Sequence, residues 1–420
     1  MKPLEFGQLR DPKAFTHGLF RFPGRFHPPL VTHLLNLHPK AKVVGDPMAG
    51  CGTVAVEAAA LGKSGLFSDI DPLACLLTRV KSTPLDPEKL ISAVEAIIRE
   101  WQPTERPGVR RPEARREIED LEKSTRFRAP PDVFHWFLPY VAVNICRFLR
   151  GVERIHTAPQ EEEALLAILA GIVRRVSKAD PNTASGLEVT SIRKKELASG
   201  LQFDIVKELR RRTRIVAKGY RELLKVSNQS HVVVVEGDAR KWSDICERSG
   251  LIPDLVITSP CYMSAIEYWR RHKLEYCWLG LVNPTDIASI RRRFLGMGEE
   301  DPNISDLSPY LLRIYKTLKG SGFRTQALDF VRYFNDSLLW LGEVSKVISE
   351  SEGTAYVVVG TNKTRVTYVD TARGLQDMAS EVGLRSKVVL RYALANYYMQ
   401  YPTRDNIRIR RETVLQFVPN

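Results

Sequence analysis

Two short stretches hold the residues best suited to chemistry. Asp46-Pro47-Met48-Ala49-Gly50-Cys51-Gly52-Thr53 combines an acid with two glycines, and a backbone without Cβ atoms at Gly50 and Gly52 can turn sharply and let a ligand come close. Asp69, about twenty positions downstream, is placed to accept hydrogen bonds from both hydroxyls of a ribose. Together they imply a nucleoside-containing cofactor. The second stretch is Thr258-Ser259-Pro260-Cys261-Tyr262. Here Ser259 and the Pro260 carbonyl are hydrogen-bonding groups, Pro260 stiffens the loop, Cys261 offers a nucleophile, and Tyr262 can stack on an extruded base.

Such residues work only if regular elements hold them. An apolar run at 42–45 precedes the first stretch, helical composition at 54–61 follows it, and 64–68 reads as a second strand. The Asp46–Thr53 segment is therefore a strand-to-helix turn, and the helix N-terminus offers free N–H groups to a carboxylate. Short β-branched runs at 231–235, 254–258 and 355–359 continue the pattern. Ser259 to Tyr262 then lies at the carboxyl end of a strand, where open α/β sheets bind ligands. Runs at 387–398 and 406–418 are predicted to close the sheet as an antiparallel hairpin. Gly62-Lys63-Ser64 is not a triphosphate loop, because it follows the helix and lacks the glycine five residues before Gly62.

The expected fold class is thus α/β, a doubly wound Rossmann-like sheet with a terminal antiparallel hairpin and a large, mainly helical insert. Residues 1–86 and 231–420 would form the sheet domain, with a helical or loop excursion at about 263–345. Residues 87–230 would form the insert. Helical periodicity is predicted at 133–155, broken near Pro139, at 161–176 and at 203–226, and a charged, proline-containing stretch spans 105–128.

With these motifs in view, the chain resembles the S-adenosylmethionine-dependent DNA amino-methyltransferases. Asp46 to Thr53 is similar to that family's motif I and Thr258 to Tyr262 to its motif IV, where serine marks the cytosine-N4 branch. Arg21-Phe22-Pro23-Gly24-Arg25-Phe26-His27-Pro28 resembles motif X, and Glu236-Gly237-Asp238-Ala239 takes the place of motif III. The resemblance implies S-adenosylmethionine as cofactor, held by Phe26, Asp46, Ala49, Gly50, Gly52, Thr53, Asp69 and Asp238, the last near the adenine. It implies catalysis by Ser259, Pro260 and Tyr262 on cytosine in DNA, with the insert as target recognition domain. No metal is implied.

Position 261 departs from the family, which has a second proline there. A Pro-Cys pair also resembles the nucleophile motif of the cytosine-C5 methyltransferases, and Asn406-Ile407-Arg408-Ile409-Arg410 partly resembles their Gln-x-Arg-x-Arg element. Their Glu-Asn-Val tripeptide is absent, since the strand at 356–360 runs into Thr361-Asn362. N4 methylation is the first reading and C5 methylation, with Cys261 as nucleophile, the alternative. An RNA base methyltransferase and an inactive nucleic-acid-binding protein remain open.

Sixty-two Lys plus Arg against forty-nine Asp plus Glu leave a net charge of +13, which suits a polyanionic partner. Arg210, Arg211 and Arg212, the run Arg270, Arg271 and Lys273 after the second stretch, and Arg408 with Arg410 are the predicted nucleic-acid contacts. No run is apolar and long enough to cross a membrane, and the first residues lack a secretion signal, so a cytoplasmic protein is expected. The six cysteines form no Cys-x-x-Cys pair, which argues against zinc and a disulfide framework. Cys51 and Cys75 are expected to be small buried apolar residues.

Overall fold

In the computed structural model, residues 11, 13–101, 108–155, 158–183, 186–227, 230–263, 267–364, 366–393 and 411–420 are described. Nine strands are found among them: β1 (Val43–Asp46), β2 (Ser64–Asp69), β3 (Val232–Glu236), β4 (Leu255–Thr258), β5 (Thr354–Gly360), β6 (Asn362–Lys363), β7 (Tyr368–Val369), β8 (Leu384–Ala393) and β9 (Arg411–Pro419). Seven of them make one sheet in the order β3-β2-β1-β4-β5-β9-β8, while β6 and β7 pair separately. The first five strands of that sheet are parallel, and β9 reverses direction between β5 and β8. This is the expected doubly wound sheet with its antiparallel hairpin. The part of that hairpin at 394–410, with Arg408 and Arg410, lies outside the described residues.

Both faces of the sheet are covered, and successive side chains sort onto opposite faces. Phe67, Ile257, Val358 and Val414 join one apolar cluster with the helices Pro28–Leu37 and Thr53–Ala60. Their neighbours Leu66, Val256, Val357 and Leu415 join another, with Trp242, Phe330, Phe334 and Trp340. The second face is closed by the helices Trp242–Ser249, Pro309–Gly320, Arg324–Glu350 and Thr371–Glu381. The 27-residue helix Arg324–Glu350 fills the excursion expected as helix or loop, and it leads straight into β5.

Between β2 and β3 the chain builds a helical layer. Its longest helices are Pro87–Trp101, Arg111–Ser124, Pro139–Arg154, Pro159–Val173 and Ile205–Leu224. The break expected near Pro139 is real, since a short helix Val133–Trp136 stops before it. Proline has no N–H to continue a helix but fits its first turn. The apolar core of this layer is continuous with Leu73, Leu76, Leu77 and Val80 of the helix Pro72–Ser82 that follows β2, and with Phe20 and Phe22 near the start. The helices at 87–227 thus share their core with the sheet's own flanking helix. No helix among the described residues is long and apolar enough to cross a membrane.

Candidate active site

The carboxyl ends of β1, β2, β3 and β4 surround a cleft. Its walls gather residues far apart in sequence: Phe22 and Phe26, the 47–51 turn with Thr53, Asp69, Asp238, and Ser259 to Tyr262. Five regions singled out in the sequence therefore meet at one place.

The turn after β1 is fixed mainly by its own backbone. Ala49 N donates to Ser68 O at 2.9 Å and Gly52 N to Ala49 O at 2.8 Å. Gly50 and Gly52 have φ of +54° and +72°, the left-handed region open to glycine. Gly50 lies in the cleft wall, so a ligand can reach its backbone. Gly52 serves packing, because a Cβ there would lie 2.8 Å from Thr78 Cα. Asp46 is buried, and its carboxylate accepts from Met48 N at 3.0 Å. Burial pushes this carboxyl up to about 8. Asp46 and Gly52, both expected to touch the cofactor, lie behind the turn and shape it, since neither lines the cleft.

Asp69 accepts from Gly50 N at 2.7 Å through Oδ2 and from Asp71 N at 2.9 Å through Oδ1. A carboxylate has about four acceptor sites, which leaves capacity for a ribose. Burial, and then the Asp71 carboxylate, push Asp69 up to about 7. Asp71 caps the helix Pro72–Ser82 by accepting from Leu73 N, and its Oδ2 lies 2.9 Å from His272 Nδ1. This pair ties the segment after the 259–262 loop to the segment after β2.

Asp238 also lines the cleft, but its carboxylate is gripped by Arg240, with Nη2 at 2.7 Å and Nε at 3.0 and 3.1 Å. Arg240 reaches on to Asp336 Oδ1 at 2.8 Å and Arg293 O at 3.0 Å. The Asp238 and Asp336 carboxylates hold the guanidinium charged, above its ordinary range despite partial burial. The aromatic wall was likewise not foreseen. Tyr268 stacks on Phe22, with centroids 5.2 Å apart and planes 23° apart, and lies nearly parallel to Phe294 at 6.4 Å. Arg240 sits two residues beyond Asp238 and could have been suspected as its partner; Asp336 and Phe294 carry no local signal.

In the loop after β4, Ser259 Oγ donates to Val358 O on β5 at 2.9 Å. A hydroxyl that donates to that carbonyl keeps lone pairs with which to accept. The Tyr262 hydroxyl donates to Glu412 Oε1 on β9 at 2.7 Å. Cys261 is half-buried, and burial together with the Asp69 and Asp336 carboxylates pushes its thiol up to about 12.

The expected cationic contacts divide. Arg212 is 7% exposed and donates to the carbonyls of Gly18, Leu19 and Gly171 at 2.6 to 2.9 Å. Arg271 is 3% exposed and donates to Thr183 O at 2.8 Å. Both are spent inside the protein and are corrected to structural roles, since neither can reach a phosphate. Arg210 and Arg211 lie on the surface, paired with Glu95 and Glu208 at 2.8 Å. Arg270 is exposed and Lys273 half-buried. Arg291, Arg292 and Arg293 end the helix Ile287–Arg293, and Arg293 lines the cleft.

The sheet and the cleft define an open α/β protein with a crevice at its strand ends. No family model matches the chain. It is 26% identical over 316 residues to the Type II methyltransferase M.MvaI of Kocuria varians, which covers 71% of this chain and 66% of that protein. It is 21% identical over 327 residues to the Type II methyltransferase M.MjaII of Methanocaldococcus jannaschii, covering 62% and 61%. The chain thus spans less than two thirds of the length of either relative. Among solved structures, the rRNA methyltransferase aviRa of Streptomyces viridochromogenes matches at 11% identity over 99% of this chain and 93% of that one. The TM-score is 0.32, and the likeness carries no argument.

Proposed function

We propose that the chain is an S-adenosylmethionine-dependent methyltransferase that modifies the exocyclic N4 of cytosine in DNA, within restriction and modification. One observation carries the choice of atom. Ser259 lines the cleft and its hydroxyl donates to the Val358 carbonyl, which leaves lone pairs suited to accept from an amino group. The two relatives named as Type II methyltransferases support the reaction class.

The cleft's residues fit the cofactor. Of the residues that line the cleft, Gly50 would admit a close approach, Asp69 would accept from ribose hydroxyls, Thr53 and Ala49 would flank the cofactor at the turn, Phe26 would pack against the methionine part, and Asp238 would face the adenine. When bound, S-adenosylmethionine supplies a methyl group on a sulfonium centre. The protein's own work is to present the nucleophile. An extruded cytosine stacks on Tyr262 while its amino hydrogens are held by Ser259 Oγ and the Pro260 carbonyl. That geometry draws the nitrogen lone pair out of ring conjugation and fixes it for attack. The amino proton then leaves to water. The helical layer at 87–227, with Arg210, Arg211, Arg270 and Lys273, serves target recognition.

C5 methylation is the second reading, and the thiol held up at about 12 speaks against it, because attack requires a thiolate. Nucleoside mass spectrometry of DNA and RNA from cells expressing the protein tests polymer, base and atom together. N4-methylcytosine in DNA is expected; 5-methylcytosine or a modified RNA base alone would refute the proposal. Cys261→Ser should keep methylation within about tenfold, whereas loss of a covalent nucleophile costs several orders of magnitude.

A further inference from the structure

Antiparallel reversal of β9 brings its first residues to the catalytic edge of the sheet. Glu412 pairs with Gly360, the last residue of β5, on one side and with Tyr392 of β8 on the other. Residues directly opposite on neighbouring strands share a face, so the Tyr392 and Glu412 side chains lie together. Their contact is a hydrogen bond from the Tyr392 hydroxyl to Glu412 Oε2. The other oxygen, Oε1, accepts from the hydroxyl of Tyr262 at 2.7 Å. One carboxylate therefore joins a ring on the catalytic loop to a ring on the hairpin. Burial, reinforced by the nearby Glu412 charge, holds both phenols above their ordinary range, so both remain hydrogen-bond donors.

We propose that Glu412 is a positioning residue that fixes and polarises the Tyr262 ring for the target base. The inference rests on the methyl-transfer reading above. A phenol ring on a loop turns about two side-chain torsions, and anchoring its hydroxyl to a residue in a paired strand removes that freedom. Donation to a carboxylate also leaves the ring more electron-rich. A more negative π face attracts the positive charge that develops on the attacking nitrogen. Tyr392, held by the same carboxylate, keeps Glu412 from swinging away.

The test compares wild type with Glu412→Ala, Glu412→Gln, Tyr262→Phe and the double variant Glu412→Ala/Tyr262→Phe, on a cytosine-containing duplex. Charge-assisted hydrogen bonds of this kind account for about a tenfold to hundredfold effect. Glu412→Ala should lower kcat by that factor with S-adenosylmethionine affinity unchanged. Tyr262→Phe should lose a similar factor, and the double variant should be no worse than the poorer single one. Glu412→Gln, which keeps an acceptor oxygen, should recover part of the loss. A wild-type kcat in Glu412→Ala, additive losses in the double variant, or an equal loss of cofactor affinity overturns the inference alone. Absence of methyl transfer by the wild type would overturn the underlying reading and the inference with it.

Discussion

Asp69 shows how one carboxylate can couple ligand binding to pH. In the folded protein, burial and the Asp71 charge push it up to about 7, from 3.8. Between those values the folded chain holds a proton that the unfolded chain has released. Its contribution to stability is therefore fully present below about pH 4 and is lost as pH rises through about 7. If Asp69 holds the ribose as proposed, the hydroxyls would donate to the ionised form, so cofactor binding would favour release of that proton. S-adenosylmethionine should bind more tightly as pH rises from about 6 to 8, with proton release visible by calorimetry in buffers of different ionisation heat. Asp69→Asn should weaken binding by about 1–3 kcal/mol and flatten the profile. A wild-type affinity indifferent to pH over that range would take Asp69 off the ribose.

The helix Ile205–Leu224 shows what a single element can hide. Its buried positions include Ile205, Leu209, Arg212, Val216 and Tyr220, a spacing of three and four that marks one face of a helix. Arg212 lies on that face, between leucine and valine, while Arg210 and Arg211 turn outward to Glu95 and Glu208. Arg212→Ala strips hydrogen bonds from three carbonyls, that of Leu19 buried and those of Gly18 and Gly171 partly so, and should cost about 2–4 kcal/mol. Arg210→Ala breaks an exposed ion pair and should cost under about 1 kcal/mol. Urea midpoints for the two variants check this, and equal losses would contradict the burial argument. The inward phase of Arg212 is legible in the spacing, yet three consecutive arginines read at first as one surface. Strands were legible because their apolar runs end in Gly, Pro or polar residues. The two loops were legible because glycine and proline at fixed places constrain the backbone. Glu412 was not legible as Tyr262's partner: the two meet across 150 residues of sequence, through strand pairing that no local pattern reveals.

At the scale of the whole molecule, the net charge of +13 is best used where it surrounds the cleft. Arg270, Arg291 and Arg292 are exposed on segments that also supply cleft-lining residues, Tyr268 from one and Arg293 and Phe294 from the other. Replacing these three arginines by alanine should make the salt dependence of duplex binding shallower, by about 0.9 in log–log slope for each phosphate that is no longer neutralised. Replacing Arg210 and Arg211 serves as the comparison. A shallower slope is expected for that pair as well, and an unchanged slope in both variants would take the polyanion off both surfaces. The sheet itself carries a different consequence, one of timing. His231, just before β3, meets Ser64 of β2 across 167 residues. At about 5–20 residues per second, a nascent chain exposes one edge of β2 for roughly ten to thirty seconds before β3 is made. An open strand edge is a template for a neighbouring chain. What is synthesised during that wait is the helical layer whose core is continuous with the helix Pro72–Ser82.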